Sequence, residues 1–282
     1  MAKDNVPFHA ILWPAVLMAS EEPWKQADYI KSFNWLTYYG GKFSTSLHRG
    51  IFMDGALEIA PADYWRYYLL ANAPESNDTS FTWESFQKTV NKDLAGILGN
   101  FVHRTESLTF KFSGAQIPAG KILPDVAKNL LLERLGESLK NYEQALTSCQ
   151  FRQAIVALRT CWMAGNQFLD DRSPWSQEIS SESKGDTLRI AMNLCRLFAI
   201  ISGPVIPGFK KTLCTSLNLA ESETNWPNLQ DLEKELSLLI PNRSYIPLQP
   251  VFPRLGGTNP KGWCEDAKIA SKVCHQLRKI LV

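Results

Sequence analysis

Seven consecutive residues near position 40 have the composition of a loop that binds anionic oxygens: Gly40, Gly41, Lys42, Phe43, Ser44, Thr45 and Ser46. A glycine pair lets backbone N–H groups point at a ligand, the lysine adds one cation, and three hydroxyl groups add donors. Arg49 follows shortly as a further basic residue. The pattern predicts a phosphate-binding loop, with an ordinary solvated turn as the alternative for so short a motif.

A second pattern places groups that can contact a nucleobase. Asn100 and Arg104 are four residues apart, so on a helix they share one face and can present donors and an acceptor together. Trp175 follows Pro174 at the end of another predicted helix and offers a flat aromatic face. The alternatives are a solvated helix face for the first pair and a loop plug for the second.

His9 and Trp13 form a third pair at helical spacing. On one helix face, both side chains can reach a polarisable side chain such as a thioether. A core histidine packed beside an indole ring is the alternative interpretation.

Periodicity predicts the elements that position these residues. The first part mixes a helix at 7–19 with β-prone runs at Tyr29–Ile30 and Phe33–Tyr39, and the latter end at Gly40–Gly41. The rest is helical apart from an extended, Pro- and Gly-rich segment at 241–260. The remaining helices are predicted at 61–71, 80–105, with Ser80 or Thr82 as cap, 124–147, 148–171, 185–202, 206–218 and 264–281.

Composition narrows the class of protein. The chain has 282 residues, 45% of them hydrophobic, which is enough for more than one folded unit. A net charge of +2 excludes a chain-wide basic field, so contacts with RNA must come from local patches. Six scattered cysteines without a C-x-x-C pair predict reduced thiols, no metal site and a cytoplasmic location. The sequence contains no stretch of 18 consecutive apolar residues, so we predict no membrane span.

Taken together, several segments resemble the methionyl-tRNA synthetase family of class I aminoacyl-tRNA synthetases, over residues 3 to about 255. The loop at 42–46 is similar to the family's K-M-S-K-S signature. The other matching segments are Phe8–Ala15, Asp63–Leu70, Asn91–Ala95, Leu98–Arg104, Pro174–Trp175 and the helix near 185–203.

The resemblance implies a mainly α fold with an α/β start. Residues 1–41 are expected to be the end of a Rossmann catalytic domain, and 42–110 the signature loop with a stem-contact fold. Residues 111–240 are expected to form a helical-bundle anticodon-binding domain, followed by a tail with a C-terminal helix at 241–282.

The resemblance also implies roles at the catalytic end. Lys42, Ser44, Thr45 and Ser46 are expected to be catalytic, and Lys42, Phe43 and Thr45 to contact ATP, the substrate bound with Mg²⁺. The loop stabilises pyrophosphate charge by closing over it. Thr45 departs from the family, which commonly has a second lysine there. Weaker ATP stabilisation and compensation by Arg49 are the two hypotheses.

Three residues near the start have roles implied by the same resemblance. His9 and Trp13 are expected to bind methionine, and Asp4 to face the ribose of ATP, although Ala2 stands where the family often has glycine. Val6 to Met18 is apolar because it is expected to pack inside a nucleotide-binding domain.

At the other end, Asn100, Arg104, Pro174 and Trp175 are expected to bind the CAU anticodon of methionine tRNA, with the tryptophan stacked on its first base.

The family's H-I-G-H signature does not occur in this sequence. The isolated chain is therefore expected to be inactive unless a separate N-terminal catalytic half complements it. Two alternatives remain: a stand-alone protein that binds the anticodon without catalysis, and an inactive truncated product whose exposed core at 6–39 promotes aggregation.

Overall fold

The computed structural model describes residues 1–47, 49–121 and 126–256, and helices dominate them. Short 3-10 turns lie at Lys3–Asn5 and Glu221–Thr224, and π-helical segments at Phe8–Leu12 and Asn91–Gly99. The α-helices are, in chain order, α1 Trp13–Ala19, α2 Met53–Ile59, α3 Ala62–Ala71, α4 Trp83–Val90, α5 Asn100–Ser113, α6 Val126–Thr147, α7 Phe151–Arg172, α8 Ser181–Ser202, α9 Pro207–Ser216 and α10 Leu232–Glu235.

Two short strands form a parallel pair. β1 (Leu36–Tyr38) lies beside β2 (Thr79–Phe81), and the glycine loop, α2 and α3 connect them. An isolated parallel bridge also joins Ala2 to Phe33. Between them lies the first helical segment, which consists of the π-helical turns at Phe8–Leu12 and α1. The strand prediction at Tyr29–Ile30 is wrong, because neither residue pairs with another strand. A Rossmann remnant at 1–41 stays a prediction.

Residues 83–113 form one continuous rod made of α4, the π-helical segment and α5. Thr82 caps it by accepting the N–H of Ser85 at 3.2 Å, whereas Ser80 lies in β2. On an α-helix, residues spaced four apart drift gradually around the helix axis, because one turn takes 3.6 residues. The longer turns of the π-helical segment reverse this drift, so one line of apolar residues faces inward along the whole rod. Its buried members are Phe86, Val90, Leu94, Leu98 and Phe101.

The predicted helical bundle is confirmed, with boundaries close to those expected. α5, α7 and α8 meet where the Phe101 and Phe198 rings lie 5.1 Å apart. Gly165 allows this approach, since a Cβ at that position would be 2.8 Å from the Phe198 ring. Close packing of α7 against α5 fixes the relative height of the residues on their outer faces.

Polar contacts tie α3 to the corner between α8 and α9. The carboxylate of Asp63 accepts the N–H groups of Gly208 and Phe209, at 3.1 and 2.6 Å. Arg66 donates to the carbonyls of Pro204 and Val205. The buried apolar core is continuous from Ala60 to Phe252.

The segment after α10 runs extended across the bundle, as predicted for 241–260, over its described part. Leu248 N donates to Glu106 Oε2 at 3.1 Å, and Gln87 and Asn91 donate to the carbonyl of Leu255. The helix predicted at 264–281 lies outside the described residues.

The first helical segment, in contrast, leaves its apolar face open. Phe8, Leu12 and Val16 are exposed, and Ile11 is 70% exposed. The core packing expected for Val6 to Met18 does not occur among the described residues.

Candidate functional site

The outer faces of α5 and α7 carry a group of polar and aromatic side chains that meet at one end of the bundle. We call it the α5–α7 surface and define it by Asn100, Arg104, Asn166, Asp170 and Trp175. The four residues predicted to contact a base, which include Pro174, are therefore brought together.

Arg104 is the centre of this surface. Its guanidinium donates to Asp170 Oδ1 at 2.7 Å and lies 4.9 Å from the centre of the Trp175 ring. With 27% of its side chain exposed, Arg104 remains accessible to a ligand. A guanidinium over an indole forms a favourable cation–π contact, and the pair presents one polar and one flat aromatic group side by side.

The backbone after α7 explains why Trp175 faces outward. Ser173 adopts a left-handed conformation, with φ of 43°, and its N–H donates to the carbonyl of Leu169. This geometry ends the helix. Pro174 is then buried, and Trp175 is 47% exposed. The proline is thus the plug, and the indole lies at the surface with the Arg104 guanidinium against its ring.

Asn100 is oriented by a partner that sequence analysis missed. Its side-chain amide donates to Asn166 Oδ1 at 3.2 Å, and Asn166 in turn donates to the carbonyls of Ile97 and Trp162, both at 3.1 Å. Asp170 was missed as well. The signal existed, since Asn166 and Asp170 are also four residues apart on a predicted helix.

The glycine loop is a tight, ordered turn after β1. Gly40 has φ of +75°, which favours glycine, and Gly41 pairs with Tyr38 in an antiparallel bridge. A second bridge joins Ser44 to Arg49. We call residues 42–46 the 42–46 loop.

Within the 42–46 loop the hydroxyl groups lie close together. The Oγ atoms of Ser44 and Ser46 are 3.2 Å apart, and Ser44 Oγ also accepts the N–H of Leu47. Thr45 and Lys42 are exposed, and the Phe43 ring packs on Tyr38 with 5.8 Å between centroids.

Arg49 lies at the base of the loop rather than among the hydroxyl groups. It donates to the carbonyl of Tyr38 at 3.1 Å, and its guanidinium covers Gly41, where a Cβ would be only 2.1 Å away. A side chain at position 41 would displace this arginine.

The residues predicted near the start lie on the surface. His9 and Trp13 line one shallow hollow with Phe8, Leu12 and Val16, which confirms that the pair shares a face. Asp4 is exposed in the first 3-10 turn. In the described residues, no hydrogen bond or ion pair joins the 42–46 loop to this hollow.

Two lysines on the rod are candidates for contacts with RNA phosphates, and two acidic residues, Glu84 and Asp93, lie near them in the sequence. Lys88 and Lys92 are exposed. Asp93, however, is buried and accepts from the Tyr67 hydroxyl at 3.0 Å, and Glu84 accepts from Tyr39. Asp93 Oδ1 also lies 3.5 Å from Arg159 Nη1, so it pairs with that arginine rather than with Lys88 or Lys92.

Two further properties concern the described ranges as a whole. No cluster of three or more His, Cys, Asp or Glu residues within them could hold a metal ion. Nor does any helix there have the length and apolarity needed to cross a membrane.

The fold joins a glycine-loop segment to a helical bundle, and the family models that match these two parts belong to the class I aminoacyl-tRNA synthetases. Residues 1–106 match the family model of class I tRNA synthetases (M). Residues 117–269 match the anticodon binding domain of methionyl tRNA ligase. The chain belongs to the methionyl-tRNA ligase family.

Curated relatives agree over most of the chain. Methionine–tRNA ligase of Streptomyces avermitilis is 51% identical over 84% of this chain and 41% of its own length. Methionine–tRNA ligase 1 of Acaryochloris marina is 46% identical over 90% of this chain and 45% of its own length. The chain thus spans less than half the length of these relatives.

Solved structures show the same fold. Mycobacterium tuberculosis methionyl-tRNA synthetase in complex with methionyl-adenylate aligns with a TM-score of 0.78 at 24% identity, covering 90% of this chain and 49% of that chain. Its apo form aligns with a TM-score of 0.75 at 23% identity, covering 91% and 49%.

Proposed function

We propose that this chain is the part of a methionine–tRNA ligase that binds the CAU anticodon of methionine tRNA and supplies the loop that closes over ATP. The observation that carries the proposal is the convergence of Asn100 and Arg104 on α5 with Trp175 after α7 on one accessible surface. The family and the similar relatives support the same function.

On the α5–α7 surface, Trp175 stacks on the first anticodon base. Aromatic faces bind unstacked RNA bases in this way. Arg104 and Asn100 then lie beside the stacked base and donate to its edge. Arg104 must exchange its ion pair with Asp170 for contacts with RNA. The surface therefore favours ligands whose hydrogen bonds to Arg104 replace the lost ion pair.

The 42–46 loop acts on the phosphates of MgATP. Lys42 supplies positive charge, and Ser44, Thr45 and Ser46 supply hydroxyl donors, as pyrophosphate charge develops during attack of methionine on the α-phosphate. Thr45→Lys, made in an enzyme with both halves of the catalytic domain, is expected to raise ATP affinity. An unchanged ATP affinity would exclude weaker ATP stabilisation as the effect of Thr45 and is the result expected if Arg49 compensates for the missing cation.

His9 and Trp13 are proposed to contact the methionine thioether, and Asp4 the ribose of ATP. These side chains are exposed among the described residues, so the pocket needs a covering surface from the remainder of the catalytic domain. We therefore expect no methionine-dependent exchange of pyrophosphate into ATP by the chain alone. Exchange is expected when a polypeptide carrying the H-I-G-H half is added.

A stand-alone anticodon-binding protein is the second candidate. It is favoured by the contrast between the assembled α5–α7 surface and the open hollow at His9 and Trp13. Restoration of exchange by the H-I-G-H half would favour the ligase. Anticodon-specific binding without such restoration would favour the stand-alone protein.

We also propose the four-part division at 1–41, 42–110, 111–240 and 241–282, and a cytoplasmic location. The change of family model between residues 106 and 117 supports the middle boundary. The free thiols of Cys149, Cys161, Cys195 and Cys214 support a reducing compartment.

Filter binding of methionine tRNA transcripts tests the central proposal. The CAU transcript is compared with one that differs only at the first anticodon base. The replacement base can still stack on Trp175 but presents a different edge to Arg104 and Asn100, and the lost hydrogen bonds are expected to weaken binding roughly tenfold. Equal affinity for the two transcripts would contradict recognition of the anticodon.

A further inference from the structure

Trp35 lies directly before β1, and its indole ring has two ammonium groups beside it. Lys42 Nζ lies 4.8 Å from the ring centroid and Lys3 Nζ lies 4.4 Å from it. One cation comes from the 42–46 loop and the other from the segment that also carries Asp4. The ring therefore connects the two segments proposed to contact ATP.

The position of Trp35 is fixed by the backbone around it. Its N–H donates to Asp78 Oδ1 at 3.0 Å, and its carbonyl accepts the N–H of Thr79 at the same distance. These contacts continue the parallel pairing of β1 with β2. The indole is thus held by the sheet, whereas Lys42 reaches it from a turn.

Two like charges beside one ring repel each other unless one is neutralised. Lys3 Nζ pairs with Asp78 Oδ1 at 3.0 Å and donates to Asn34 Oδ1 at 3.2 Å. The pKa of Asp78 is lowered, mainly by the N–H of Trp35 and then by Lys3, which keeps this carboxylate ionised. Neutralisation of Lys3 leaves the ring available to Lys42.

Lys42 has no such partner in the part of the chain that the structure describes. Among the described residues, no carboxylate lies within ion-pair distance of its ammonium. It is also the single lysine of a loop whose family commonly has two. The resting position of this cation therefore depends on the indole.

We infer that Trp35 is a positioning residue that holds the Lys42 ammonium against its indole ring until MgATP phosphates displace it, an inference that rests on the proposed role of the 42–46 loop in ATP binding. An exposed cation–π contact favours the held position by roughly two- to fivefold. That is weak enough for MgATP phosphates to displace it.

The experiment uses the whole chain with lysines dimethylated with ¹³C, which keeps their charge. The Lys42 signal is assigned by its loss in Lys42→Arg. Stacking on Trp35 is expected to shift it upfield from the signals of exposed lysines. Trp35→Leu should remove this shift, Trp35→Phe should retain part of it, and Trp24→Leu, which changes an exposed tryptophan, should leave it intact. A Lys42 signal at the same position in wild type and Trp35→Leu would overturn the inference.

Titration with MgATP separates this inference from the proposed function. If both hold, MgATP moves the Lys42 signal, and half-saturation in Trp35→Leu occurs at a concentration roughly two- to fivefold lower. If MgATP moves the signal in neither protein, the proposed ATP role of the loop in this chain fails. The shift without ATP still decides whether Trp35 holds Lys42.

Discussion

The first helical segment and the rod at 83–113 have similar apolar patterns and opposite environments. Along the rod, Val90 and Phe101 are fully buried. Along the first segment, Ile11 and Trp13 are mostly exposed, at 70% and 57%. An amphipathic pattern determines which face of a helix is apolar, but burial requires a second surface.

This difference has an energetic side. Apolar burial contributes about 25 cal/mol per Å² only where water is excluded. The rod gains it from α7, α8 and the extended segment after α10, whereas the first segment gains little. Substitutions in the two regions should therefore differ strongly in their effect on the free energy of unfolding. The two regions should also differ in the functions that each supports without a partner.

The largest expected effect is on stability. Phe101→Ala removes a ring packed on Phe198 and Gly165, and such a change costs about 3–5 kcal/mol. Ile11→Ala should change the free energy of unfolding by less than about 0.5 kcal/mol. Urea unfolding at constant m-value measures both. A similar loss for the two variants would mean that the first segment is packed.

A buried carboxylate should differ from an exposed one in pH dependence. Burial raises the pKa of Glu106 from 4.5 to about 7. The folded protein holds a proton that the unfolded chain releases, so this stabilisation is complete below pH 4.5 and is lost as the pH rises to about 7. The wild-type free energy of unfolding should decline by up to about 3 kcal/mol across that window through this group.

Glu106→Gln should remove most of that decline, because an amide does not titrate and its oxygen can still accept from Leu248 N. Asp4→Asn, at an exposed position, should retain the wild-type pH dependence. Urea unfolding at pH 5, 6, 7 and 8 measures all three proteins. Parallel curves for wild type and Glu106→Gln would show that Glu106 does not titrate in this range.

Two tryptophans, one at the α5–α7 surface and one shortly after the first helical segment, extend the comparison to RNA binding. Trp175→Ala should weaken binding of the CAU transcript by about 1–3 kcal/mol, or roughly 5- to 150-fold, because stacking on one base is lost. Trp24→Ala, at an exposed position in the N-terminal region, should leave affinity unchanged. Filter binding at one salt concentration measures both. Unchanged affinity for Trp175→Ala would refute its role in the anticodon site.

The smallest effect is expected from a surface ion pair. Asp170→Asn frees Arg104 from a 2.7 Å contact. It should strengthen RNA binding by about 0.2–1 kcal/mol, while discrimination among anticodons decreases. Asp28→Asn breaks a comparable exposed pair with Lys25 and should have no effect on RNA. Weaker binding by Asp170→Asn would show that the carboxylate orients Arg104 productively.

Local signals predicted most helices well. Pro61 gave the correct start of α3, and the periodicity at 124–218 gave the bundle. The helix predicted at 80–105 instead runs over 83–113, and of its two cap candidates Thr82 is the cap and Ser80 lies in β2. α2 was missed because it is short, contains Gly55 and has no side-chain cap. The strand β2 was missed because three residues that pair only across the sheet carry almost no local signal.

The candidate sites divide in the same way. The spacing of Asn100 and Arg104, the Pro174–Trp175 pair and the composition of residues 40–46 are properties of nearby residues, so the sequence was sufficient to propose these sites. The resemblance to a family, rather than the local patterns, favoured the functional interpretation over the alternatives. Asn166 and Asp170 each contact a partner 66 residues away, and that distance is bridged only by helix packing.

The sequence by itself determined the helical periods and the chemical types at both sites, because these depend on neighbours within one or two turns. It determined the family through matching segments spread over residues 3 to about 255. Only the tertiary structure decided that Arg104 contacts both Asp170 and Trp175, and that the Trp35 ring lies beside lysines from two segments. It also decided that the first apolar face is open while the rod is buried. The physical reason is that contacts across the fold depend on how whole elements pack.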